Sequence, residues 1–233
     1  MNMNDERGFP TRALHAGQVV DQATGARAPP IYQTTSFEFD DADDAAARYR
    51  LDSDRDVYSR ISNPTVGILE DRMASLADGV DAVATASGMA ALDAATTTLA
   101  TGGDSIVCAD DVYGGTRAFL TYTAGRRGID TRFVETTDPG AFSAAITDDT
   151  AFVHLETIAN PSLATPDIEA IAEVAHAADA PLLVDNTFAT PALCRPLEHG
   201  ADVVWHSTTK WLHGSGTTIG GILIDGGSFP WAA

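Results

Sequence analysis

Residues 151–186, AFVHLETIANPSLATPDIEAIAEVAHAADAPLLVDN, decide the fold. AFVHLE is a short apolar run without polar alternation, the pattern of a strand buried on both faces. DIEAIAEVAHAAD then places Ile168, Ile171, Ala172, Ala175 and His176 on one face of a helix. PLLVDN is a second apolar run, so the stretch reads strand, helix, strand, and that repetition makes the strands parallel. The same alternation extends outward in both directions. DAVATAS leads into GMAALDAATTTLA, SIVCAD into YGGTRAFLTYTAG, and TRFVE into DPGAFSAAI, while ADVVWHS and GGILIDGG follow PLLVDN. The expectation for residues 76–233 is an α/β domain, a mostly parallel sheet covered by helices. Residues 1–75 differ. PPIYQTTSFEF is extended, DDADDAAARYRL suits a short acidic helix, and Asn63-Pro64 makes a turn into a further helix. Such a segment cannot build a core alone and reads as an arm that packs on the main domain or on a partner subunit. There are no internal repeats and no low-complexity linker.

Composition narrows the function. The 33 acidic residues against 14 basic ones give a formal net charge of -19 and a pI of about 4.3. That field repels nucleic acid and anionic membrane surfaces, so neither is an expected partner. At 44% hydrophobic the chain is a folded acidic protein rather than a disordered one. An acid excess with almost no lysine suits a protein that stays hydrated in concentrated salt, where self-repulsion is screened. The start, MNMNDERGFP, has no apolar core and is not expected to be a secretory signal. No apolar stretch approaches the ~18 residues of a membrane span. Cys108 and Cys194 lack CxxC spacing, so two reduced, structural thiols in a cytoplasmic protein are expected, and no metal site.

In an open parallel sheet, ligands bind beyond the carboxyl ends of the strands. The residues there are Ser87-Gly88-Met89, Tyr113, Glu156 with Asn160, Asp185 with Thr187, and Ser207 with Thr209 and Lys210. Singly each has a plainer reading: Ser87 as a helix cap, Asn160-Pro161 as a turn, Lys210 as a solvated charge. Together they meet a specific requirement. A helix N-terminus with Ser207 and Thr209 hydroxyls opposite holds a phosphate dianion. Asp185 can keep a pyridine nitrogen protonated, Tyr113 can stack on the ring, Asn160 can bond its phenolic oxygen, and Lys210 can form an imine. Those are the needs of pyridoxal phosphate. Lys210 is also the only lysine in the chain. Arginine can replace lysine as a surface charge, but it never becomes the neutral amine that forms and exchanges an imine.

Nine ordered motifs, LHAGQ, TGARAPPIYQTTSF, VYSRISNPT, ATASGMAA, VYGGT, ETIANP, PLLVDNTFATP, GADVVWHSTTKW and GTTIGG, resemble the Cys/Met-metabolism family of pyridoxal-phosphate enzymes. The likeness runs from residue 11 to about 231, and TTIGG, TGARAPPIYQTTSF and GGSFPW look most like the O-acetylhomoserine sulfhydrylase branch. It implies a fold-type I large domain at 76–233, with 1–75 as an oligomer-contact segment. It also implies roles: Lys210 as the Schiff-base lysine, Asp185 as partner of the pyridine nitrogen, and Tyr113 as the stacked aromatic. Ser87, Gly88, Met89, Ser207 and Thr209 become the phosphate cradle, with Asn160 and Thr187 beside the ring. Tyr58 and Arg60 match a pair that reaches the neighbouring subunit's cofactor, which implies a homodimer or homotetramer. The implied reaction is γ-replacement on a small amino acid, O-acetylhomoserine plus sulfide giving homocysteine and acetate, with Lys210 moving the α-proton and Tyr113 assisting. Burial of Lys210 is expected to lower its pKa. Cystathionine γ-synthase or γ-lyase activity, sulfide or a thiol as donor, and a remnant that only binds cofactor or an intact homologue are the alternatives.

Two departures stand out. The chain has His213-Gly214-Ser215-Gly216 where the family commonly has Gly-Gly-His-Gly, which is expected to change the turn or its packing. The C-terminal small domain is expected to be absent, and with it the arginine that binds the substrate carboxylate. Exposed apolar surface is expected where that domain packs.

Overall fold

A computed structural model describes residues 7–231, and the chain divides into two compact units, Met1–Ser75 and Leu76–Ala233. The second unit is a seven-stranded sheet in the order β1-β7-β6-β5-β4-β2-β3. Its strands are β1 (Asp81–Thr85), β2 (Ser105–Ala109), β3 (Asp130–Val134), β4 (Thr150–Glu156), β5 (Leu182–Asp185), β6 (Val203–His206) and β7 (Gly221–Asp225). Between them lie α4 (Gly88–Leu99), α5 (Gly114–Ala118), α6 (Pro139–Ala145), α7 (Ile168–His176) and α8 (Thr190–Leu193). Helix starts follow the side chains that precede them. Ser87, Asp138 and Asp167 each accept a first-turn N–H, from Ala90, Gly140 and Ala170 respectively.

Strands β3, β2, β4, β5 and β6 are parallel, each joined to the next in sequence by a segment containing a helix. Every residue of β2 and β5 is buried. Phe142, Phe152, Leu155, Ile171 and Leu183 fill the core between sheet and helices. Each such side chain contributes about 1.5–3 kcal/mol on burial.

Three details differ from the sequence reading. β7 runs antiparallel to both its neighbours, β1 and β6, because the segment between β6 and β7 contains no crossover helix to turn the chain round. DAVATAS, read as a buried strand, is half exposed: β1 pairs with β7 alone, and Asp81 and Val83 face solvent. His176 shares the side of α7 with Ile171 and Ala175 but lies exposed at its end, where Nε2 bonds Asp202 Oδ2 at 2.7 Å.

The first unit contains α1 (Phe9–His15), α2 (Ala42–Tyr49) and most of α3 (Pro64–Ala77). It is organised by polar side chains. Asp41 caps α2 by accepting from Asp43 and Asp44. Arg48, buried, pairs with Asp44 at 2.5 Å and donates to Asp56 O at 2.8 Å. Asn63 donates to Tyr32 O and Ser59 Oγ and accepts from Thr65 N, each at 2.9 Å. An isolated β-bridge joins Ser36 to Tyr58. Among the described residues no helix is long and apolar enough to cross a membrane.

Candidate active site

A cavity of about 290 Å³ opens where β1, β4, β5 and β6 end. It gathers eleven residues singled out from the sequence: Ser87, Gly88, Met89, Tyr113, Glu156, Asn160, Asp185, Thr187, Ser207, Thr209 and Lys210. Tyr58 and Arg60 belong to the first unit, where the Arg60 guanidinium lies 5.0 Å from the centre of the Tyr58 ring.

One end of the cavity suits an anion. Ser87 is extended and caps the twelve-residue α4, its Oγ accepting from Ala90 N at 3.1 Å. The first helical N–H groups, of Gly88 and Met89, have no acceptor within the helix. Two glycines permit the close approach that builds this corner. A Cβ on Gly88 would lie 2.6 Å from Ser207 Cβ, and one on Gly221 would run into the Ser87 carbonyl. The helix dipole therefore ends against the Ser207 hydroxyl.

The other end holds two buried carboxyl groups. Asp185 Oδ1 accepts from Thr187 N at 2.9 Å, and Thr187 Oγ1 accepts from Ser207 N at 2.8 Å, a chain that links the two ends of the cavity. Burial pushes the Asp185 carboxyl up to about 7, partly offset by its bonds to Thr187. Glu156, register neighbour of Asp185, is pushed up to about 8, first by burial and then by the Asp185 charge. Its Oε1 accepts from Tyr113 N at 2.5 Å and its Oε2 from Asn160 N at 3.0 Å. The Tyr113 ring, about half exposed, lies against the Cα of Gly115, where an added Cβ would collide with it.

Lys210 follows β6 in a turn. Its N–H donates to Ser207 O at 3.2 Å, and its carbonyl accepts from Gly214 at 2.9 Å. Contrary to the expected burial, Lys210 is exposed. Thr209 also lines the cavity, but its hydroxyl donates to Gly220 O at 3.2 Å and accepts from Gly220 N at 3.1 Å. The departure at 213–216 is accommodated: the two positive-φ positions, Gly214 and Gly216, are glycines, and His213 Nδ1 lies 3.0 Å from Ser215 Oγ. Arg195 is engaged by Asp78 at 3.3 Å and Glu198 at 2.6 Å.

Sequence reasoning placed Glu156 in the crevice but gave it no task, and it missed the apolar wall of Ile158, Phe188, Trp205 and Ile219. Those four carry no signal beyond ordinary core composition. Trp205 is anchored from behind, its Nε1 donating to His154 Nε2 at 3.2 Å, with Cys108 Sγ 3.5 Å from His154 Nδ1. Burial lowers His154 to about 3 and His206 to about 4, so both stay neutral. Cys108 and Cys194 are free thiols.

A Corynebacterium glutamicum O-acetyl-L-homoserine sulfhydrylase is 52% identical over 228 residues, covering 97% of this chain and 52% of that protein. A Schizosaccharomyces pombe homocysteine synthase is 50% identical over 224 residues, covering 96% of this chain and 52% of that protein. The chain thus spans about half the length of the curated relatives it matches. A crystal structure assigned as an O-acetylhomoserine (thiol)-lyase from Campylobacter jejuni, carrying a pyridoxyl-lysine monophosphate, superposes with a TM-score of 0.92 at 36% identity. That match covers 96% of this chain and 55% of the other. The family model for Cys/Met metabolism PLP-dependent enzymes matches residues 10–233, and this chain belongs to that family.

Proposed function

We propose that this chain is the cofactor-holding part of an O-acetylhomoserine sulfhydrylase, which replaces the acetoxy group of O-acetylhomoserine with sulfide to give homocysteine and acetate. The observation that carries the reading is one cavity joining a lysine amine, a buried carboxylate and a helix N-terminus. These residues fit pyridoxal phosphate. The glycine-permitted corner between Ser87 and Ser207 leaves N–H and hydroxyl donors for a phosphate, and Asp185, hard to ionise alone, suits a cationic ring nitrogen.

When bound, that group supplies an electron sink for charge developed next to the substrate amine. In this reading Asp185 holds the proton on the ring nitrogen, Tyr113 covers a ring face, and Asn160 meets the ring oxygen. Gly88, Met89 and Ser207 hold the phosphate. Thr187 ties Asp185 to Ser207, so both ends of the site keep one spacing. Thr209, its proton directed at Gly220, fixes the lysine-bearing loop. Lys210 would hold the group through Nζ, and its free amine would move the substrate's α-proton. Tyr58 and Arg60, already stacked on each other, form an anion clamp for a second copy in a homo-oligomer. The acid excess and the free thiols support a cytoplasmic setting of high salt.

Adding pyridoxal phosphate is expected to produce a visible absorption band that survives dialysis. Borohydride reduction is expected to fix the added mass on the peptide containing Lys210. Lys210→Ala is expected to lose both signals and to lower turnover by at least about 10³-fold. A folded wild-type chain that shows neither signal would sink the cofactor assignment. Homocysteine from O-acetylhomoserine and sulfide supports the proposed reaction. Cystathionine formed with cysteine as donor points to γ-synthase activity, and a keto acid formed without a donor points to γ-lyase activity. Cofactor binding without turnover identifies a binding unit.

A further inference from the structure

We propose that Glu156 is the positioning residue of this site, a two-pronged staple whose carboxyl group fixes the distance between the Tyr113 ring and the Asn160 amide. The inference rests on the reading of the cavity as a pyridoxal-phosphate site and adds to it a residue that touches neither ring nor phosphate in that scheme.

The geometry is specific. Tyr113 comes from the loop after β2 and Asn160 from the loop after β4, so nothing local in sequence holds them together. Both side chains line the cavity. Their backbone N–H groups converge on the two oxygens of one carboxyl group, Tyr113 N on Oε1 at 2.5 Å and Asn160 N on Oε2 at 3.0 Å. A carboxyl group is rigid and planar, so accepting one bond on each oxygen sets both the separation and the orientation of the two loops. Tyr113 has a second constraint, since its ring rests on the bare Cα of Gly115. Backbone anchor and ring rest leave the aromatic face little freedom, and preorganisation of this kind lowers the ordering cost of binding.

The neighbourhood explains why glutamate suits the position. Glu156 lies at the carboxyl end of β4, directly beside Asp185 on β5, at 4% exposure. A glutamine of the same shape has only one acceptor oxygen. Its NH₂ would face one of the two N–H donors, so Glu156→Gln removes one prong and leaves a buried donor unpaired.

Hydrogen-exchange mass spectrometry on the cofactor-free chain reads the staple directly, through peptides covering residues 110–114 and 157–163. Glu156→Gln is expected to speed exchange at Tyr113 or Asn160 by about tenfold, and Glu156→Ala at both, with β6 peptides unchanged. In titrations with pyridoxal phosphate, Glu156→Gln is expected to weaken binding about tenfold and to shift the position of the visible band, because ring face and ring oxygen lose their spacing. A residue that only supported the fold would lower the melting temperature and leave the band where it was. Gly115→Ala is the second variant: it displaces the Tyr113 ring without touching Glu156. It is expected to weaken cofactor binding while exchange at Asn160 stays at the wild-type rate, and it decides the matter if Glu156 variants fail to fold. The proposal is overturned if Glu156→Gln keeps wild-type exchange at both amides, or keeps wild-type affinity and band position. It is equally overturned if a folded Gly115→Ala binds pyridoxal phosphate as the wild type does. Failure of the underlying reading looks different: the wild type itself then gives no band, while the exchange arm still reports on the staple.

Discussion

The two units of this chain are held together by different forces. The second has a continuous apolar core between sheet and helices, with Phe142, Phe152, Leu155 and Ile171 wholly buried. In the first, the buried apolar residues are Ala16, Met73 and Ala74, while Val19, Ile31, Leu51 and Ile61 stand in solvent. Its order comes from Asn63, Arg48 and Asp41, each tying loop or helix backbone by hydrogen bonds. A buried large side chain contributes about 1.5–3 kcal/mol and a net hydrogen bond about 1 kcal/mol, so the first unit is the weaker by this count. Exposed apolar residues on a weakly held segment suit a surface that another body covers, which supports the oligomer arm proposed above.

Core truncation gives the widest separation between the units. Phe152→Ala is expected to cost about 3–5 kcal/mol in denaturant unfolding, whereas Val66→Ala, on partly exposed α3, is expected to stay within about 0.5 kcal/mol. Similar costs for the two would break the comparison.

The pH response comes next and belongs to the second unit. Asp185 and Glu156 have folded values near 7 and 8 against ordinary values of 3.8 and 4.5, so the folded chain retains protons that the unfolded chain has released. His154 and His206, near 3 and 4 against 6.5, do the reverse below neutrality. Between about pH 4.5 and 6.5 the two pairs cancel. From 6.5 to 8 only the carboxyls remain, and the stability of the cofactor-free chain is expected to fall as pH rises. Thermal melts of Asp185→Asn are expected to lose about half of that slope. An unchanged slope would show that other groups govern it.

Smaller effects sharpen the contrast from the first unit's side. Asn63→Ala is expected to cost about 1–2 kcal/mol locally, speeding hydrogen exchange at residues 30–36 while β4 stays protected. Salt is expected to have the least effect and to act in opposite senses. Residues 76–233 carry twenty acidic against six basic side chains, residues 1–75 thirteen against eight. Molar potassium chloride should therefore raise the melting temperature of the second unit by a few degrees and weaken exposed pairs such as Arg55–Asp40 in the first.

Much of the second unit was legible because its information is local. Uninterrupted apolar runs marked β2, β4, β5 and β6, and the helical segments read after β1, β3 and β4 open at Ser87, Asp138 and Asp167, the residues that cap α4, α6 and α7. The antiparallel insertion of β7 between β1 and β6 was not, since strand neighbours so far apart in sequence leave no periodic trace. The cavity residues followed from their places at strand ends. Trp205 and Ile219 were missed because an apolar wall and a core are made of the same amino acids. The task of Glu156 was hidden for another reason: it acts through backbone N–H groups, which every residue but proline has.

The exposed Lys210 has a practical corollary. A protease that cuts only after lysine has one place to act in the whole sequence, between residues 210 and 211, and must find the side chain unmodified to act there. After borohydride treatment and denaturation, the occupied fraction would run as one band and the empty fraction as two. Cofactor occupancy then becomes a ratio read from a gel, with the chain serving as its own internal standard.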